Sequence, residues 1–270
     1  MASLESGIYE IGRFDQLAGM DSPVHRIDPR AKVIATIVFI VCVVSFHRYT
    51  LTALAPFALF PIVLASEGGI PAGLLLRRLL IASPFAIAVG IFNPMLDHTL
   101  VGAIGPLELT GGWVSFASIL ARFALTAGAA LVLVATTGMP GVAGAIERLG
   151  APRVFATQLL FLYRYIFVLA GEAMRMTRAR NLRSFGGRGL EMRTYARMLG
   201  QLLLRTYGRA RRIYDAMLCR GFDGEVRTVR RTRFGLRDYA FVLGWSAAFV
   251  TMRAYDLPGI VGRLVTGLAR

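Results

Sequence analysis

The sequence predicts an all-α integral membrane protein of about five transmembrane helices, with additional long helices on the cytoplasmic or interfacial side. Three observations predict it. Hydrophobic residues make up 55% of the 270, at a mean hydropathy of +0.56, more apolar surface than a soluble fold of this size buries. These residues fall in runs approaching the ~20 that a bilayer-crossing helix needs. The positive charge is concentrated: Met139 to Arg237 holds 20 Arg against six acidic residues, a net of +14 within a chain total of +15.

The apolar runs place spans at about Lys32–Phe46, Tyr49–Ser66, Leu79–Leu96, Trp113–Gly138 and Arg237–Met252. The chain therefore divides into an N-terminal membrane region, 1–138, an Arg-rich region of cytoplasmic coupling helices, 139–236, and a last span with its tail, 237–270. Residues 1–30 lack the apolar core and cleavage site of a signal peptide, so the first span is expected to direct insertion. In the fourth span, Gly128-Ala129-Ala130 is the expected point of close helix approach.

Charge sets the orientation. Arg26, Arg30 and Lys32 precede the first span and Arg77 and Arg78 lie between the second and third, whereas Asn93–Gly112 holds Asp97, His98 and Glu108 but no Arg or Lys. The positive-inside bias puts the N-terminus in the cytoplasm. Arg122, inside the fourth span and toward one end, is expected to snorkel or pair with a neighbouring helix. The run Val154–Ala170 is apolar enough to cross, but a crossing would put 17 Arg outside. A long helix along the cytoplasmic interface or against other helices is the expectation, with a crossing as the alternative. From Arg193 to Met217, apolar residues gather on one face and six Arg on the other, a basic amphipathic helix.

The basic region contains a repeat. Ala179-Arg180-Asn181-Leu182-Arg183-Ser184-Phe185-Gly186-Gly187 aligns without gaps on Ala216-Met217-Leu218-Cys219-Arg220-Gly221-Phe222-Asp223-Gly224. Each copy ends a helical pattern in Arg, a small residue and Phe. A C-cap accounts for the small residue and for a cation near the helix end. An Arg–Phe pair at the tip can also clamp a carboxylate or carbonyls and fill an apolar notch. Two such tips imply two such partners.

The stretch Asp21-Ser22-Pro23-Val24-His25-Arg26-Ile27-Asp28-Pro29-Arg30-Ala31-Lys32 resembles the entry to the first span in the T components of energy-coupling-factor (ECF) transporters. The tips Leu182-Arg183-Ser184 and Cys219-Arg220-Gly221 resemble the two Ala-Arg-Gly signatures of that family, and Asn93-Pro94 extends the likeness. It is most similar to the cobalt type, the CbiQ-like subunits, through Asp28, Pro29, Arg30 and Lys32 and through Ala216-Met217-x-x-Arg220-Gly221-Phe222. Neither Arg is directly preceded by Ala, and Ser184 stands in place of Gly. Arg220 with Gly221 and Phe222 is thus the surer contact, and Arg183 with Ser184 and Phe185 the weaker.

The resemblance implies a coupling subunit of an ATP-driven metal-ion importer, cobalt being the expected ion, in a prokaryotic cytoplasmic membrane. Two CbiO-like ATPase subunits would bind the tips. A CbiM-like membrane subunit, with a small CbiN-like subunit, would bind the ion. ATP and Mg belong on the ATPases; the chain itself would bind no cofactor and no metal and hold no catalytic residue. Its own residues agree with that division. There is no Gly-x-x-x-x-Gly-Lys-(Ser/Thr) loop, and His25, His47 and His98 have no Cys or acidic partner at ligand spacing. The Arg residues sit beside bilayer spans rather than in a nucleic-acid module, so lipid and protein are the expected partners. The competing readings are a conventional ABC-type permease subunit with its own substrate path, and a secondary transporter. The second would want acids well inside the spans, which hold none.

Overall fold

A computed structural model describes residues 17–47, 50–96, 100–104, 107–183, 192–224, 226 and 234–254. Asp97, His98, Ser184 and Phe185 lie outside the described residues. The chain forms two compact units, Phe14–Val142 with Thr232–Arg270, and Met1–Arg13 with Ala143–Arg231.

In the first unit, α1 (Pro29–Val44) is followed by a 3₁₀ turn (Thr52–Ala58) that runs into α2 (Leu59–Glu67), then α3 (Ala72–Gly90) and the short α4 (Asn93–Leu96). A two-stranded antiparallel hairpin, β1 (Leu100–Ile104) and β2 (Leu107–Thr110), leads to α5 (Gly111–Thr137). Helix α6 (Met139–Arg148) begins in this unit, and α9 (Leu236–Ala254) completes it. The fold is all-α, with the hairpin its one sheet among the described residues. That hairpin occupies the stretch expected to be an external loop.

Two spans differ from expectation. The second is broken into the 3₁₀ turn and α2, because Pro56 inside the turn has no N–H to donate. The third starts at Ala72 rather than Leu79. Arg77 and Arg78 therefore lie in the first two turns of α3, where their long stems let the cations reach the membrane surface.

Helices α3 and α5 are long and apolar enough to cross a bilayer. Leu76, Leu80, Ile81, Phe85 and Val89 of α3 are exposed, as lipid-facing residues are. The core lies among α1, the 3₁₀ turn, α2, α5 and α9. Its centre is aromatic: Phe39 to Phe60 is 4.9 Å between ring centroids, Phe60 to Phe249 5.1 Å, and Phe60 to Trp245 5.0 Å. Of the expected Gly128–Ala130 contact, Ala129 is buried in the core, while a Cβ on Gly128 would meet nothing within 4 Å. A Cβ on Gly90 would lie 2.7 Å from the Phe116 ring, so it is α3 and α5 that approach closely there. Asn93 Nδ2 donates to Ser115 Oγ at 3.0 Å beside that crossing.

Helix directions follow from contacts at both ends. At one end, the Asp28 N–H donates to Asp238 Oδ1 at 2.8 Å. At the other, Arg253 Nε donates to Ser45 Oγ at 3.2 Å and its guanidinium lies 4.6 Å from the Phe46 ring centroid. Helices α1 and α9 are therefore parallel and nearly coterminal. Helix α5 runs antiparallel to both, with Lys32 bonded to Thr136 near its end and Arg122 Nη2 donating to the His47 carbonyl at 2.6 Å. Arg122 is thus mid-helix, because α5 extends three turns past the level of His47, and it pairs with a neighbouring element's backbone.

In the second unit, α7 (Arg153–Arg183) and α8 (Met192–Leu218) form an antiparallel pair. Arg180 near the end of α7 stacks over Tyr195 near the start of α8, 5.5 Å from its ring centroid. Thr157 near the start of α7 donates to the Gly224 carbonyl beyond the end of α8, 3.3 Å. Between these ends, Glu172 accepts from Arg175 at 2.6 Å and Arg205 at 3.0 Å. The apolar run 154–170 is the first half of one 31-residue helix. By length and composition α7 is sufficient to cross a bilayer.

Candidate functional site: two helix tips and a buried junction

Residues Ala216–Gly224 form a helix end whose chemistry can be followed atom by atom. Gly221 has φ +75°, the left-handed conformation that ends a helix most cheaply at Gly. The Gly221 N–H donates to Leu218 O and the Phe222 N–H to Met217 O, both at 3.0 Å. This is the paired bond pattern of a Schellman cap. The cap also brings the residue after Gly against the helix three residues before its end. Phe222 is accordingly half-buried and lines a groove of about 1050 Å³ with Met217, Ile213, Phe161 and Val154. A capping role therefore accounts for Phe222 as well as Gly221, more than the repeat alone suggested. Arg220 remains exposed at the tip, and nothing in the cap requires it. Gly221→Val is expected to cost about 1–2 kcal/mol, measured as a lower thermal midpoint and faster amide exchange at Phe222, with Gly221→Ala costing less.

The first copy ends α7. Arg183 is exposed and, with Arg175, Arg180, Arg205 and Glu172, lines a concavity of about 660 Å³. The expected partners Ser184 and Phe185 lie outside the described residues.

The structure does not bring Arg183 and Arg220 together. They sit at opposite ends of the antiparallel pair, separated by the length of α8, whose 27 residues rise about 40 Å at 1.5 Å each. One small ligand could not touch both.

The N-terminal motif forms a separate, buried constellation. Asp28 caps α1, accepting from the Arg30 N–H at 2.8 Å, and Pro29 takes the first helical position, where its missing donor is harmless. Arg30 Nε lies 3.9 Å from the Asp28 carboxylate. Lys32, only 2% exposed, donates from Nζ to the Thr136 carbonyl at 2.9 Å, one of the last acceptors of α5 left without a helical partner. Upstream, Arg26 holds Asp21 by two bonds of 2.9 and 2.8 Å, which keeps that carboxyl below the usual carboxylate range. Ser22 Oγ and His25 Nδ1 are 2.7 Å apart.

Sequence reasoning missed Asp238. It is 6% exposed, accepts from the Asp28 N–H through Oδ1 and from the Gly235 N–H through Oδ2, each at 2.8 Å. The carboxylate thus sits at the N-terminal ends of α1 and α9 together, where both helix dipoles favour an anion. The available signal was the spacing Gly235-x-x-Asp238, an N-cap followed by an acid that reaches back to it. Among the described residues, no three His, Cys, Asp or Glu side chains converge as a metal ion would require.

The chain is similar to known proteins over most of its length. Residues 20–230 match the family described as CbiQ, cobalt transport protein. The chain is 29% identical to an uncharacterised protein of Methanocaldococcus jannaschii, covering 85% of this chain and 82% of that one. It is 26% identical to the energy-coupling factor transporter transmembrane protein EcfT of Heliobacterium modesticaldum, covering 87% and 94%. It is 30% identical to the cobalt transport protein CbiQ of Rhodobacter capsulatus, covering 54% and 73%.

Proposed function

Because this chain belongs to the CbiQ cobalt transport family, the transmembrane T components of ECF transporters of the cobalt type, we propose that it couples two cytoplasmic CbiO-like ATPases to a separate CbiM-like membrane subunit that binds cobalt. The observation that carries this reading is the pair of exposed arginines, Arg183 and Arg220, at opposite ends of one helix pair. Their separation of about 40 Å suits two similar partners side by side. ATP binding draws the ATPases together, and the motion reaches the membrane through α7 and α8. The ion travels with the partner subunit, and phosphate chemistry stays on the ATPases.

Such a mechanism requires the Arg-rich unit in the cytoplasm, and the helix directions support that placement. Helix α5 ends, and α9 begins, at the end of the bundle where α1 starts. Whatever lies between leaves and returns on one side of the membrane. If α7 crossed, the chain would have to cross back before Gly235. The described helix available for that is α8, which carries Arg193, Arg197, Arg205, Arg209, Arg211 and Arg212. Each Arg at mid-bilayer costs about 2.5–3.5 kcal/mol on insertion scales. In this reading α7 lies along the cytoplasmic interface rather than across it, and the membrane is the prokaryotic cytoplasmic one.

The test is to co-express the tagged chain with its partners and purify the complex. Two ATPase copies per chain and a second membrane protein are expected, with uptake of radiolabelled cobalt only when that second protein is present. Uptake by this chain with ATPases alone would overturn the reading in favour of a permease. Exposed Cys219, in a Cys42→Ser background, should react with an impermeant maleimide only in inside-out vesicles. Reaction confined to intact cells would refute the orientation.

A further inference from the structure

The coupling role proposed above, on which this inference rests, requires the membrane helices to move together, and the buried junction at Asp28–Lys32 bears on it. In sequence, residues 143–231 are joined to the membrane helices after Val142 and before Thr232. Both connections lead into helix ends held by this one turn.

On the outgoing side, Lys32 Nζ holds the Thr136 carbonyl at 2.9 Å. Gly138, at φ +72°, then breaks the helix. A Cβ on Gly141 would lie 2.9 Å from Thr137 Cγ2 and 3.9 Å from Pro29 Cγ, so the start of α6 passes against the same turn. On the incoming side, the Asp238 carboxylate ties the Gly235 N–H to the Asp28 N–H. Three helix ends thus meet: the N-termini of α1 and α9 share an anion, and the C-terminus of α5 receives a cation. Each sign of charge faces the helix pole that attracts it.

We propose that Asp28–Lys32 together with Asp238 forms the rigid node of the coupling subunit, through which α1, α5 and α9 move as one body. The physical reason is stiffness. Bonds to ionised groups are stronger than neutral ones, and a buried charge pulled from its acceptor is left unsatisfied. The junction therefore resists slipping, and the three helix ends move as one body. Lys32, Asp28 and Asp238 are positioning residues: they touch neither nucleotide nor ion.

The test uses the assembled transporter in proteoliposomes and separates coupling from folding. Asp238→Asn keeps the side chain's shape but leaves one of its two backbone donors facing an amide NH₂. Lys32→Met keeps length and removes the donor. Co-purification of ATPases, ATP hydrolysis and cobalt uptake are measured on each. For Asp238→Asn, normal ATPase content, hydrolysis within about twofold of the parent and a tenfold or greater fall in cobalt moved per ATP hydrolysed are expected. Lys32→Met should fall at least as far, and if it does not accumulate, Asp238→Asn decides. Unchanged cobalt per ATP in Asp238→Asn overturns the proposal. So does loss of ATPases from that variant, since the cluster would then serve only the fold. Absence of ATPases from the unsubstituted chain would instead defeat the coupling role itself, a result distinguishable from both.

Discussion

Arg220→Glu is expected to release an ATPase subunit from the complex and to abolish cobalt uptake. The Arg220 side chain is exposed and the cap beneath it is made by Gly221 and by backbone bonds from Phe222. The substitution should therefore leave the thermal midpoint of the isolated chain nearly unchanged. At a partner's surface the balance differs. Truncating or reversing a charge in a hydrogen-bonded interfacial pair costs about 2–5 kcal/mol, which is roughly 30-fold to several thousand-fold in affinity. Binding of purified ATPase to the substituted chain, followed by uptake in reconstituted vesicles, measures both. Full ATPase content with undiminished uptake would remove Arg220 from the coupling surface. Arg183→Glu should act in the same direction and less strongly, because Ser184 departs from the family's Gly at the first tip.

Phe249→Ala should produce the largest loss of intrinsic stability. The ring is fully buried and lies 5.1 to 6.1 Å from the rings of Phe39, Phe57, Phe60 and Trp245. In a bilayer, part of the usual penalty vanishes, since lipid is as apolar as the core and the transfer term is small. What remains is lost packing. A cavity on the order of 100 Å³ at ~24 cal/mol per Å³ gives about 2–3 kcal/mol. The readout is thermal unfolding in detergent, where Phe249→Leu should lose much less than Phe249→Ala. Equal midpoints for parent and Phe249→Ala would mean that this aromatic cluster does not hold α9 to α1 and α2.

Some elements were legible from residues alone and others were not. The fifth span was expected at Arg237–Met252 and α9 covers Leu236–Ala254. The basic amphipathic helix was expected at Arg193–Met217 and α8 covers Met192–Leu218. Both follow from local periodicity. The start of α3 was misplaced because Arg77 and Arg78 suggested a loop, whereas long basic side chains are compatible with the end of a membrane helix. Phe222 was assigned outward because a repeat shows recurrence without direction. Only the backbone bonds at Gly221 reveal that it folds back on Met217.

By itself, the sequence determined that the chain is a membrane protein, where along it the arginines gather and which family it resembles. Those properties depend on composition, charge bias and short motifs that act where they stand. The tertiary structure decided that the two tips lie about a helix length apart. It also decided that Asp28, Lys32 and Asp238 meet at one junction, since residues 28, 136 and 238 are brought together only when three helices pack, and no local pattern encodes which helix ends will share a charge.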